Sequence, residues 1–178
     1  MQPIYLFSGR IGSGKSHLSK IIALRLGLAR VGFGDVVRAE AERRGLDTLD
    51  KAVLQQLGQQ LVINEPEKFC SDVLSFLPEN GMSGGVIDGL RHRHIFDSLG
   101  RLFGRERLRL VFVAIDENVR RIRLAENRNW ALKDMEGYDS DATEEQVATS
   151  LPGLADFTVD NSFSVEESIA ALMQWASA

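Results

Sequence analysis

The sequence predicts an α/β fold, with a parallel sheet of about five strands between helices on both faces. Three observations carry this. Short β-prone apolar runs alternate with segments of helical period along the whole chain. The run Leu108 to Ile115 is apolar almost throughout, as in strands covered on both faces. Finally, the stretch Gly9-Arg10-Ile11-Gly12-Ser13-Gly14-Lys15-Ser16 joins a strand to a helix and fits the phosphate-binding loop pattern.

The elements follow in order. Ile4-Tyr5-Leu6-Phe7 is the first strand, and His17 to Leu26 carries Leu18, Ile21, Ile22 and Leu26 at helical spacing. Arg30 to Phe33 reads as a short second strand. A helix from about Asp35 to Arg44 follows, with Asp35 as its N-cap and Gly45 as its stop. Asp50 can cap the next helix, striped by Val53, Leu54, Leu57 and Leu61. Pro66 opens another, which runs to about Leu77 and is expected to bury Phe69, Val73, Leu74 and Phe76. Pro78 to Gly85 is a loop, and Val86-Ile87 is a short strand ending at Asp88-Gly89. A helix through Ile95, Phe96 and Leu99 leads to the strand at Leu108, which Asp116-Glu117 closes. Val119 to Arg128 is an Arg-rich helix, and residues 129–142 read as an irregular, acidic lid. A helix from Glu144 to Leu151, a strand at Phe157-Thr158-Val159 and an amphipathic helix from Val165 to Trp175 complete the chain.

Length and composition set the class. At 178 residues with 44% hydrophobic content, the chain is expected to form one domain spanning 1–178. A net charge of −4 argues against general nucleic-acid binding, although ten of the 21 Lys and Arg fall between Arg91 and Arg128. The single Cys70 excludes an intrachain disulfide and suits a reducing cytoplasm; its apolar surroundings point to the core. No apolar run reaches about 18 residues, and the chain opens straight into a strand, so neither membrane span nor signal peptide is expected.

The glycine loop carries the chemistry. Glycines let successive N–H groups turn inward around a phosphate, and the helix that follows adds its positive end. The loop residues Gly9, Gly12, Ser13 and Gly14, with Lys15, Ser16 and His17 after them, are expected to hold ATP. Lys15 can reach the β- and γ-phosphates, and the Ser16 hydroxyl can ligate Mg²⁺. Asp35 and Asp88 lie at strand ends, where carboxylates can hold Mg²⁺ through water or accept a proton. Arg38 and Arg91 each follow one of these by three residues and suit a second phosphate, that of an acceptor. Of the four arginines at 120, 121, 123 and 128, Arg123 and Arg128 stand nearest the lid and are the catalytic candidates. His92 and His94, two apart, do not share a helix face, and no metal site is expected there.

These pieces resemble the nucleoside monophosphate kinase branch of P-loop proteins. The resemblance lies in GRIGSGKS at Gly9, FGDVVRAEAERRG at Phe33, VIDGLR at Val86 and VFVAIDENVRRIRL at Val111. It implies a three-layer P-loop NTPase fold with an acceptor-binding helical segment at about 35–78 and a short lid at about 125–142. It also implies that Arg38 and Arg91 bind the acceptor's phosphate, and that Asn161 lies where the chain passes the ATP base. LQQLGQQLV at Leu54 and ATEEQVATSLPGLADFTVDN at Ala142 are similar to phage-type deoxynucleotide monophosphate kinases and dephospho-coenzyme A kinase-like proteins. Adenylate kinase itself is disfavoured, since no Pro precedes Arg91 and no four-Cys pattern occupies the lid. Three activities stay open at this level: transfer to a nucleotide phosphate, transfer to a hydroxyl, and ATP hydrolysis for motion or regulation. The last draws on Leu110 to Glu117, apolar residues followed by Asp-Glu.

Overall fold

The computed structural model describes residues 2–128 and 142–177. The strands are β1 (Ile4–Ser8), β2 (Arg30–Gly32), β3 (Gly85–Leu90), β4 (Leu108–Ala114) and β5 (Phe157–Asp160). Between them run α1 (Lys15–Leu26), α2 (Phe33–Arg43), α3 (Lys51–Asn64), α4 (Pro66–Ser75), α5 (Arg93–Phe103), α6 (Glu117–Arg128) and α7 (Ala142–Thr149). The helix α8 (Val165–Ala176) follows β5. All five strands pair in parallel, in the order β2-β3-β1-β4-β5. The strand order therefore reverses beside β1, the place where open parallel sheets form their ligand crevice.

Each strand's alternation feeds two cores. Ile4 and Leu6 of β1, Ile87 of β3, and Leu108, Leu110 and Phe112 of β4 pack with α2, α3, α4, α5 and α7. Tyr5, Phe7, Val86, Val111 and Val113 face the other way, onto α1 and α8. Both faces being covered is why β4 reads as an unbroken apolar run. Tyr5 meets Trp175 edge-on at 6.0 Å, and Trp175 stacks on Phe157 at 5.0 Å, which fixes α8 against the sheet.

Several expected boundaries shift. Asp35 is not the N-cap of α2: Gly32 caps it, and the Asp35 carboxylate accepts the Gly32 N–H at 2.8 Å from the first turn. The fourth helix ends at Ser75, so Phe76 is 51% exposed and Leu77 enters the core in its place. Asp50 does cap α3, accepting from the amides of Ala52 and Val53. β3 runs on past Asp88 through a register shift at Gly89, whose φ of +91° only glycine adopts readily. The shift returns Leu90 to the core and brings Arg91 to the carboxyl edge of the sheet.

Candidate functional site

The loop after β1 is shaped by contacts from below. Gly14 has φ +85°, and a β-carbon there would stand 2.4 Å from Nδ2 of Asn161. Asn161 is 2% exposed and donates to the Ser13 carbonyl at 2.8 Å. Its amide thereby supports the loop from the interior. No side chain caps the N-terminus of α1, whose positive end meets the crevice, while the His17 N–H is taken by the Gly14 carbonyl at 3.0 Å. Lys15 is 8% exposed, and its Nζ donates to the Arg10 carbonyl at 3.3 Å.

A cavity of about 890 Å³ opens over this loop. Gly12, Gly14, Lys15, Ser16 and His17 line it from the loop and α1. Asp35 and Arg38 line it from α2, Asp88 and Arg91 from β3 and the residue after it, and Arg123 from α6. The volume lies within the roughly 300–1,000 Å³ typical of small-molecule sites. Gly9 and Ser13 stand behind the cavity wall: a β-carbon on Gly9 would meet the Val113 carbonyl at 2.6 Å, and Ser13 is fully buried. The side chain of Arg128 and most of the expected lid, residues 129–141, lie outside the described residues.

The acceptor-side groups are held unequally. Arg38 is exposed and reaches Asp35 Oδ1 and the Gly34 carbonyl, both at 3.4 Å. Asp88 is 7% exposed, and its Oδ2 accepts from Arg30 Nη2 at 2.6 Å. Its Oδ1 is buried without a hydrogen-bond partner. Arg30 also donates to Ser19 Oγ at 2.9 Å, tying β2 and β3 to α1. Arg91 pairs through Nη1 with Glu144 of α7, and the other oxygen of Glu144 accepts the Ile11 N–H at 3.0 Å.

Of the α6 arginines, Arg120 is fully buried and forms a two-pronged pair with Glu117; Arg121 joins the same carboxylate from the surface. Arg10 of the glycine loop reaches it as well, at 2.8 Å. The Arg120 hydrogen bonds, followed by those of Arg121 and the charges around them, hold the Glu117 carboxyl down at about 2. Asp116 caps α6 through the amides of Asn118 and Val119. Neither acid lines this cavity; Asp116 caps α6 and Glu117 binds the arginines around it.

Arg30 and Glu144 line the cavity too, and the sequence reading did not single them out. The same holds for Gln55 and Gln59 of α3, which line it beside Phe69. Arg30 stands at the start of β2, and only its 58-residue separation from Asp88 hides the pairing. The rings of His92 and His94 are 5.5 Å apart, and His94 faces the Val62 carbonyl. No cluster of three or more His, Cys, Asp or Glu suited to a metal occurs among the described residues. The Ser16 hydroxyl and the unpartnered Asp88 Oδ1 fit a magnesium ion carried in on nucleotide phosphates, which needs few protein ligands. Cys70 is fully buried, and burial pushes its thiol up to about 12, the behaviour of a core residue. No helix among the described residues is long and apolar enough to cross a membrane.

Parallel sheet, glycine loop and crevice define a P-loop protein with a kinase-like fold. The chain belongs to the AAA domain family, whose model matches residues 8–137, and within its relatives to the UPF0200 proteins. It is 30% identical to a UPF0200 protein of Aeropyrum pernix over 167 residues, covering 92% of this chain and 87% of that one. It is 38% identical to a UPF0200 protein of Pyrobaculum aerophilum over 119 residues, 66% of this chain and 62% of the relative. A UPF0200/UPF0201 protein of Archaeoglobus fulgidus is 29% identical over 96% of this chain. The match spans only 54% of that longer relative. Among solved structures, a sugar kinase from a Janibacter species has a TM-score of 0.64 at 14% identity, covering 99% of this chain and 95% of that one. A shikimate kinase from Bacteroides thetaiotaomicron also has a TM-score of 0.64 at 14% identity, covering 99% of each chain. These two likenesses are of fold.

Proposed function

We propose that the chain is an ATP- and Mg²⁺-dependent phosphotransferase whose acceptor is nucleotide-like, a nucleoside or deoxynucleoside monophosphate. The observation that carries this reading is one cavity that Lys15 and the glycine loop line together with Arg38 and Arg91. A hydrolase needs a single anion grip, whereas transfer between two phosphates needs two, facing each other.

The roles follow from chemistry. The glycine loop amides and Lys15 hold the donor's β- and γ-phosphates, with Gly12, Gly14 and Ser16 nearest to them and His17 at the rim. Arg38 and Arg91 grip the acceptor's phosphate in forked hydrogen bonds. Arg123 and Arg128 meet the charge that spreads over the transferred group. Ser16, and through water Asp35 and Asp88, would hold a magnesium ion, which when bound would supply charge neutralisation. An acceptor phosphate is already ionised and needs no base. We read residues 35–78 as the acceptor-binding segment, 125–142 as the lid, and 1–178 as one domain. The sugar and shikimate kinases named above support phosphoryl transfer as a use of this fold, without fixing the acceptor.

A second reading is transfer to a hydroxyl, as in dephospho-coenzyme A kinase-like proteins. What favours it is the pair of carboxylates at the cavity wall, with Asp88 Oδ1 lacking a partner and Asp35 exposed. The placement of Asp116 and Glu117 away from the cavity weighs against an ATPase that positions water from β4. Incubation with γ-labelled ATP and a panel of nucleoside monophosphates and dephospho-coenzyme A tests these readings. Label on a monophosphate is the expected result; label on dephospho-coenzyme A favours the second reading. Release of labelled phosphate with no labelled acceptor rejects both.

A further inference from the structure

We propose that Glu144 is a positioning residue for transfer: one buried carboxylate that fixes the acceptor arginine against the phosphate-binding loop. The proposal rests on the transferase reading above. Glu144 stands on α7, is 2% exposed and lines the cavity. Its Oε2 accepts the Ile11 N–H at 3.0 Å, and its Oε1 is ion-paired with Arg91 Nη1. Ile11 belongs to the donor's loop, and Arg91 directly follows β3. Two stretches 80 residues apart are thus bridged by the two oxygens of a third.

The bridge has three consequences. The spacing between the donor grip and the acceptor grip is set by a rigid planar group rather than by a flexible loop. A guanidinium carries five donors in a fixed fork, and this contact uses Nη1. Arg91 remains about one-third exposed at the cavity, so the rest of its fork is aimed rather than free to swing. Finally, the Ile11 amide is taken by this carboxylate and the Ser13 amide by the Arg10 carbonyl at 3.1 Å, so this end of the loop is held in shape by the protein itself. A carboxylate this buried cannot quit both partners without leaving charge stranded away from water. It therefore acts as a strut and not as a rival that an incoming phosphate displaces.

The test uses Glu144→Gln, which keeps the size and can still accept from Ile11 but offers Arg91 no charge. With the acceptor found in the labelled-ATP panel, its KM is expected to rise about tenfold, while ATP affinity holds within about twofold. In an Arg91→Ala background the same substitution is expected to add less than about twofold, because Glu144 acts through Arg91. Equal losses in both backgrounds, or a lower acceptor KM in Glu144→Gln, overturn the proposal. The amide of Ile11 gives a readout that needs no acceptor. Its hydrogen exchange is expected to be slow in the native chain and in Glu144→Gln, and faster in Glu144→Ala. Equal exchange in native chain and Glu144→Ala removes the bridge. A native chain that labels no acceptor rejects the transferase reading, while the Ile11 amide still decides whether the bridge exists.

Discussion

Gly14 combines a left-handed backbone with contact against Asn161 Nδ2, so any side chain there must strain the loop and push its support aside. Gly14→Ala is expected to lower ATP affinity by at least about tenfold and stability by about 1 kcal/mol or more. Calorimetric ATP titration beside a thermal melt checks this, and unchanged affinity contradicts it. Glu117 gives a second test, in acid. Its folded pKa of about 2 lies below the ordinary 4.5, so its contribution is present above 4.5 and lost as pH falls towards 2. Glu117→Gln is expected to flatten the loss of stability across that window and to weaken the fold at neutral pH, since buried Arg120 loses a charged partner. Denaturant melts at pH 2 to 7 measure both. An unchanged acid slope would mean that other groups govern it. At this scale the sequence singled out the loop, Lys15, Arg38 and Arg91, all of which line the cavity, because each sits in a local pattern. It hid Arg30 and Glu144, whose partners lie 58 and 133 residues away for Asp88 and Ile11. No local spacing encodes such pairs.

The helices between β2 and β3 form the wall opposite the loop, and their ends are set by identifiable side chains. Asp50 accepts two amides at the start of α3, the helix that brings Gln55 and Gln59 to the cavity. Asp50→Ala is expected to cost about 1 kcal/mol, and for a chain of this size about 2–4 °C in melting temperature. A thermal scan checks the shift, and ATP affinity is expected to stay put because Asp50 does not itself line the cavity. Within α2, Glu40 is 8% exposed and bonded to Arg43 and Arg44, which hold its carboxyl near 2. The charged half of the FGDVVRAEAERRG motif thus locks the helix, while Asp35 and Arg38 face the cavity. Element identities were legible because period and caps are local properties. Their edges were less so: the last turn of α4 stops before Pro78, the helical period lapses, and Leu77 rather than Phe76 turns inward. A two-residue core at Val86-Ile87 likewise gave no sign that β3 continues through a glycine bulge.

At the scale of the molecule, the sheet order places the carboxyl ends of β1, β2 and β3 side by side. That is why Lys15, Asp35, Asp88 and Arg91 share one cavity although they span most of the first half of the chain. Alternating strands and helices made this topology readable. The depth of the crevice came from packing that no pattern announces, such as α7 closing over Ile11 and Arg91. The central claim is that two anion grips face each other and can be weakened separately. Its most direct measurement is the pair of constants, acceptor KM and ATP Kd, in Arg38→Ala and Arg91→Ala compared with the native chain. Loss of a charged phosphate contact corresponds to about tenfold or more in acceptor KM, with ATP Kd expected within about twofold. Acceptor KM unchanged in both variants, or ATP affinity falling in step with it, would contradict the account.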